Sequence, residues 1–346
     1  MPNLRKLMDS FLDRRLAIGV SVALSERQKL ELCEKHGDFS LAYSTAVQPN
    51  LQHFGDEDGY IAFATKMGHT FALGDPVAPH SKRADYIERF IGVASKPCFV
   101  QIGEASAAVL SARGYRINHM GIDTHLPLAT HNFAGKKNET VRYSERWLLN
   151  KRYSIVECDG TITSAQQIVD LSTEWRAGRI VSRREMCFLN RPFLADLAPH
   201  MRRFVIIDPE GKPVAILDFD PLFSNGKVTG YTAAFKRKLT GTTPHAEVGL
   251  TKFAADRFRE EGRTLVTLGL SPLAAIAASG FAESRIWKSL FQRAFSSERI
   301  NEKIFNLKGQ AAFKRRFHGE EQPVFMAFKR GTPAEMIALL RLLKTL

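Results

Sequence analysis

The chain has 346 residues, 44% hydrophobic and 25% charged, a balance that buries a sizeable core and excludes a disordered, collagenous or low-complexity protein. A formal charge of +13 implies a polyanionic partner: nucleic acid, an anionic membrane surface or a phosphorylated substrate. Cys33, Cys98, Cys158 and Cys187 stand far apart without Cys-x-x-Cys or Cys/His spacing; they support neither a zinc site nor a disulfide framework, and fit a reducing cytoplasm.

In chain order, Leu4, Leu7, Met8, Phe11 and Leu12 form the apolar stripe of a short helix, packed on the body or lying on a membrane surface. The apolar run at 16–24 falls far short of the roughly 20 residues a bilayer span needs. Asp9 and Asp13 argue against a secretory leader. Residues 39–44, 60–67 and 71–75 read as strands, and 81–95 as a helix from the spacing of Ala84, Ile87 and Ile91. A strand at 97–102, a helix at 105–113 stopped by Gly114, and a strand at 120–127 follow.

Residues 139–150 form a charged helix and 153–158 a strand. Thr163 and Gln166 have capping-box spacing for the next helix. The segments 203–207, 213–219 and 228–235, separated by turn formers, predict an antiparallel meander. A helix at 245–261, a strand at 264–268 and a strand at 323–328 come next. The last helix opens on Thr332, Pro333 and Glu335, with cap, proline and capping glutamate in place. Meander, helix, strand, helix is the order of the Gcn5-related N-acetyltransferase fold, and the first half shows it less clearly. The expected class is therefore α/β (α+β): tandem domains of that type at 1–134 and 135–346, each a mixed, mostly antiparallel sheet flanked by helices.

Four strings carry a more specific resemblance. They are Phe133-Ala-Gly-Lys-Lys-Asn-Glu-Thr-Val-Arg142; Trp175-Arg-Ala-Gly-Arg179 with Glu185-Met-Cys-Phe188; Leu268-Gly-Leu-Ser-Pro-Leu-Ala274; and Phe305-Asn-Leu-Lys-Gly309 with Phe313-Lys-Arg-Arg-Phe317. In that order and spacing they resemble the soluble C-terminal domain of phosphatidylglycerol lysyltransferases, the multiple peptide resistance factor family. The resemblance implies transfer of an aminoacyl group from aminoacyl-tRNA to a phospholipid head group or another hydroxyl or amine acceptor. It also implies no metal or redox cofactor, since the tRNA ester is already activated. The family's Asp-Leu-Met-Arg string falls near Phe235-Lys-Arg-Lys-Leu239, where the acid is missing. That departure leaves the donor amino acid open.

The chemistry needs two substrates held together, a base for the attacking group and donors for the oxyanion. Lys314 matches the family's lysine and is the first candidate, set against a solvated helix face. Glu247 is a candidate base or amine holder, or else a first-turn acid favoured by the helix dipole. His245 is a base candidate or a helix-start residue. Trp175 and Arg179 lie one turn apart, suited to stack on a terminal adenine and grip a phosphate, with Arg183 and Arg184 beside them. Arg237, Ser271, Asn306 and Arg316 complete the substrate-binding candidates, and Tyr231 is a proton-donor candidate without distinguishing context.

Two other readings stay open. An acyl-CoA or acyl-carrier-protein N-acyltransferase would present a glycine-rich pyrophosphate loop, whereas Lys238-Leu-Thr-Gly-Thr-Thr-Pro-His245 has a single glycine. A basic, non-catalytic module binding tRNA or membrane would retain the fold as scaffold. The expected place is the cytoplasm, peripheral to the inner face of the membrane, reached through basic surface, the N-terminal helix or a separate membrane protein.

Overall fold

In the computed structural model, which describes residues 24–158, 163–177 and 188–344, the described strands form one sheet. Its strands are β1 (Gln52–Asp56), β2 (Gly59–Lys66), β3 (His69–Leu73), β4 (Pro97–Ile102), β5 (Arg116–Pro127), β6 (Ser154–Glu157), β7 (Arg202–Ile207), β8 (Pro213–Ser224), β9 (Lys227–Lys238), β10 (Leu265–Pro272) and β11 (Glu320–Phe328). Their spatial order is β1-β2-β3-β4-β11-β5-β10-β9-β8-β7-β6. The helices are α1 (Glu26–His36), α2 (Ala42–Val47), α3 (Arg83–Val93), α4 (Glu104–Ala112), α5 (Glu139–Asn150), α6 (Ala165–Ala177), α7 (Ala246–Glu260), α8 (Arg285–Ser296), α9 (Glu298–Lys303), α10 (Leu307–Arg315) and α11 (Pro333–Leu342).

Each half repeats one plan: an antiparallel meander, a helix, and a strand parallel to the last of the meander. In the first half β3 pairs in parallel with β4 after α3; in the second β9 pairs in parallel with β10 after α7. The two plans share their centre. Strand β11 inserts between β4 and β5, antiparallel to both, while β5 also pairs antiparallel with β10. The connection at 134/135 follows β5, so the sheet itself runs across that point and ties the halves together. This is the α/β, mostly antiparallel, acetyltransferase-like architecture that the element order implied.

Packing explains the elements. Helix α7 lays Ala254, Ala255 and Phe258 on the second meander, where Phe258 meets Phe204, Phe219 and stacked Tyr231 at centroid distances of 5.5, 5.0 and 4.3 Å. In the first half Phe90 of α3 sits 5.5 Å from Phe63 and 5.8 Å from Phe99. Burying each such ring stabilises by about 1.5–3 kcal/mol, and T-shaped pairing adds to it. Gly114 ends α4 with φ +74°, as its position predicted.

The structure corrects several local expectations. Residues 42–47 are helical, not extended: the run is buried all round, and an apolar stretch that short carries no period to separate strand from helix. The helix opening near Thr163 is capped one residue later. Ser164 Oγ accepts from Gln167 N at 3.3 Å, and Gln167 Oε1 accepts from Ser164 N at 3.0 Å. The Thr332/Glu335 capping box forms as expected. The N-terminal apolar stripe lies outside the described residues, as do Arg179, Arg183 and Arg184.

Candidate active site

The second half's parallel pair is short. β9 and β10 stay in register only from Gly230 and Leu265 to Thr232 and Thr267. Beyond that, β10 bulges between Thr267 and Leu270 in its pairing with β5, and Gly269 takes φ +73°. A β-carbon there would lie 3.4 Å from Ala233 O and 3.9 Å from Lys314 Nζ, in a conformation that L side chains rarely adopt. The bulge turns two carbonyls towards the gap, and Lys314 Nζ donates to both, Gly269 O and Leu270 O, at 2.7 Å each.

Helix α10 delivers that lysine. Asn306 caps it, its Oδ1 accepting from Gly309 N at 2.8 Å, while Leu307 and Ala311 are buried beneath. Phe313 stacks edge-on against Phe317, which is fully buried. Asn306 thus serves as a helix cap, which accounts for its place in the string without a substrate contact. We expect Asn306→Ala to lower stability by about 1 kcal/mol, read as a fall in thermal midpoint; an unchanged midpoint would refute the cap.

Burial pushes the Lys314 amine down to about 7; Asp123 opposes the shift and Lys236 adds to it. Lys236 lies on β9 with its ammonium 3.2 Å from the centroid of Phe313 and 3.3 Å from Glu247 Oε1. Burial lowers this amine as well, against the pull of Glu247. Glu247, in the first turn of α7, also stands 3.9 Å from Lys238. The structure therefore gathers Lys314, Lys236, Glu247 and Lys238 into one cluster. Exposed Arg316 adds its positive charge to the field at Lys236.

A chain of buried and half-buried polar groups flanks Lys314. Asp123 on β5, opposite Leu270, accepts from Ser40 Oγ at 2.5 Å. Ser40 Oγ lies 2.9 Å from Thr267 Oγ1, which donates to Thr232 Oγ1 at 2.7 Å. His125 Nε2 stands 3.6 Å from the same Asp123 oxygen. Among the described residues, the other Asp123 oxygen and the buried Ser271 Oγ have no hydrogen-bond partner. A buried carboxylate oxygen and hydroxyl without partners are costly, and mark a place where a ligand's donors would be met. Ser271, a substrate-binding candidate, follows Leu270 on β10 and lies opposite Ile122. Asp123, Ser40, Thr267 and His125 were not foreseen. The signal was present: an acid and a histidine two apart on a strand share one face.

Other candidates lie elsewhere. His245 packs on α5, its Nδ1 3.1 Å from Ser144 Oγ and its ring 5.0 Å from Trp147 and 5.3 Å from Tyr143. Arg237 is buried, with its guanidinium 3.9 Å from the Phe193 ring and 4.6 Å from Trp175, and it donates to Ser172 Oγ. Trp175 and Arg237 thus come together, as an internal stack. Tyr231 is core, stacked on Phe258. No group of three or more metal-ligating side chains occurs among the described residues. Among them, no helix is long and apolar enough to cross a membrane.

The fold has clear counterparts. The structure of L-PGS from Bacillus licheniformis superposes with a TM-score of 0.78 at 19% identity, covering 94% of this chain and 98% of that one. The C-terminal domain of an Agrobacterium fabrum protein, described as a lysylphosphatidylglycerol synthetase, gives 0.73 at 20% identity over 91% and 96%. FemX gives 0.53 at 8% identity over 91% and 98%. A search of curated proteins finds no match. The family described as phosphatidylglycerol lysyltransferase, C-terminal, matches residues 30–328, most of the chain and both of its halves. The chain belongs to that family.

Proposed function

We propose that this protein transfers an aminoacyl group from aminoacyl-tRNA to the hydroxyl of a phosphatidylglycerol-like lipid, with the splayed end of β9 and β10 as the reaction centre. The observation that carries the reading is the placement of Lys314. Its ammonium spends two N–H bonds on the carbonyls of Gly269 and Leu270, which fixes the nitrogen and leaves its third position directed elsewhere. As the neutral amine, that position is a lone pair, fit to take a proton from an attacking hydroxyl.

In the proposed step, the lipid oxygen attacks the ester carbonyl carbon as its proton passes to Lys314 Nζ. The ester bond to the tRNA ribose then breaks, and the same proton returns to the ribose oxygen. Lys236 and Lys238, held by Glu247, supply positive charge for the tRNA phosphates and the developing oxyanion. Donor and acceptor are the whole requirement; the reaction as written uses no further cofactor.

The start of α7 speaks against a coenzyme A donor. Its first turn carries Glu247, and a single glycine precedes it, so a pyrophosphate would meet a carboxylate rather than a cradle of bare N–H groups. The deciding experiment supplies charged tRNA and phosphatidylglycerol to the purified chain. Modified lipid formed only with charged tRNA is the expected result. Product that forms equally after ribonuclease treatment, or with acyl-CoA instead, overturns the reading.

A further inference from the structure

Helix α8 is two-sided in a way the fold does not use. Its inner side is anchored: Trp287 and Phe291 are buried and stacked, and Trp287 Nε1 donates to Gly331 O at 2.9 Å. Its outer side presents Ile286, 72% exposed, and Leu290, 43% exposed, one turn apart and therefore neighbours on the surface. Arg285 and Arg293 are exposed beside them, and the helix has no acidic residue. Its remaining cation, Lys288, is held by Glu283 at 2.9 Å. The following α9 exposes Arg299 and Lys303 together with Glu298 and Glu302, and Ile304 just after it is 48% exposed.

This helix is tied rigidly to the candidate site. Gln292 donates to Ile276 O at 3.0 Å, in the stretch that follows β10. Asn301 donates to Phe295 O and accepts from Lys308 N, both within 2.9 Å, so α8, α9 and the start of α10 form one hydrogen-bonded block. Phe295 of α8 packs on Ile122, Ala274 and Ala311, which belong to β5, the segment after β10, and the helix that carries Lys314.

We propose that the outer face of α8, with the end of α9, docks on an anionic phospholipid surface. Isolated exposed isoleucines are ordinary; a pair at helical spacing, ringed by arginines and with no acid on the helix, is the pattern of a helix lying in the plane of a membrane interface. The apolar pair enters the acyl boundary while Arg285 and Arg293 meet the phosphates. The proposal rests on the lipid acceptor argued above and adds how a chain whose described helices do not cross the bilayer reaches it. Docking through α8 brings the block bearing Lys314 to the surface where such head groups lie.

The test is flotation of the full chain with vesicles of phosphatidylcholine, with and without phosphatidylglycerol. The parent should float only with the phosphatidylglycerol vesicles. The variant Ile286→Ser/Leu290→Ser should partition at least about tenfold more weakly, and Arg285→Gln/Arg293→Gln should lose the preference for anionic lipid. Ile337→Ser, on α11, should float like the parent, and unchanged melting temperatures show that all variants fold. Parental flotation of the serine variant overturns the proposal. So does a parent that binds uncharged tRNA through Arg285 and Arg293 but no vesicle, which makes the face an RNA contact. Transfer to detergent-dispersed phosphatidylglycerol separates the two ideas. It should survive in the serine variant, and its absence in the parent refutes the acceptor reading while flotation still decides docking.

Discussion

Replacing Lys314 with alanine or methionine should lower kcat/KM for aminoacyl transfer by about a hundredfold to ten-thousandfold, the range that loss of a positioned base removes. Lys314→Arg should fail nearly as badly. A guanidinium keeps a positive charge and hydrogen bonds, but it does not give up its proton. The arginine variant therefore separates a base from a mere charge. Burial, reinforced by Lys236, lowers the amine to about 7, so the proton-accepting form accumulates as pH rises through neutrality. Activity should fall about tenfold per pH unit on the acid side and level off above. Stability follows the same group. An unfolded lysine titrates near about 10.4, so between about pH 7 and 10 the unfolded chain binds more protons, and stability should rise with pH across that window. Lys314→Met should remove that rise and, near pH 7, leave the melting temperature level or higher. A methionine variant that still turns over charged tRNA, with the acid limb intact, would sink the assignment.

Lys314 and Glu247 stood out as candidates because short strings hold them: a lysine between two phenylalanines, and an acid opening a helix. Partners that folding brings from afar were not visible. Ser40 meets Asp123 across 83 positions and Thr267 across 227, and neither pairing leaves a local trace. Arg237, a substrate-binding candidate, sits between Lys236 and Lys238 in sequence but not in space, because a strand sends successive side chains to opposite faces. Lys236 and Lys238 go to Glu247, while Arg237 goes into the aromatic stack of Phe193 and Trp175. The order of meander, helix and strand was legible in the second half from period and turn residues, and less clearly in the first; the parallel pairing of the last strand was not. The insertion of β11 between β4 and β5 was not, because strand order in a sheet is decided by packing between segments some two hundred residues apart. The family match from residue 30 takes in the first half as well, whose likeness was seen only as architecture.

A second large effect is expected away from the reacting centre, in the ionic core of the second meander. Asp218 and Asp220 alternate on β8 and share one buried face, where a strand this apolar would ordinarily carry no charge. Arg203, opposite Asp218 on β7, donates to it at 2.6 and 2.8 Å. Arg191 reaches in from the segment before β7 and grips Asp220 at 2.7 and 3.0 Å. All four side chains are at most 2% exposed. Two cations and two anions balance there, and Arg191 and Arg203 also stack on Phe235 and Phe193 at 4.9 and 5.0 Å. Asp220→Ala leaves two buried guanidinium groups facing the single carboxylate of Asp218, and should cost about 3–5 kcal/mol. The double variant Arg191→Met/Asp220→Leu removes both charges and keeps the volume, so it should recover most of that loss. Chemical denaturation of the parent, the single variant and the double variant measures the coupling. Near-parental stability of Asp220→Ala, or a double variant no better than the single one, would show that the pair does not hold the segment before β7 onto the sheet.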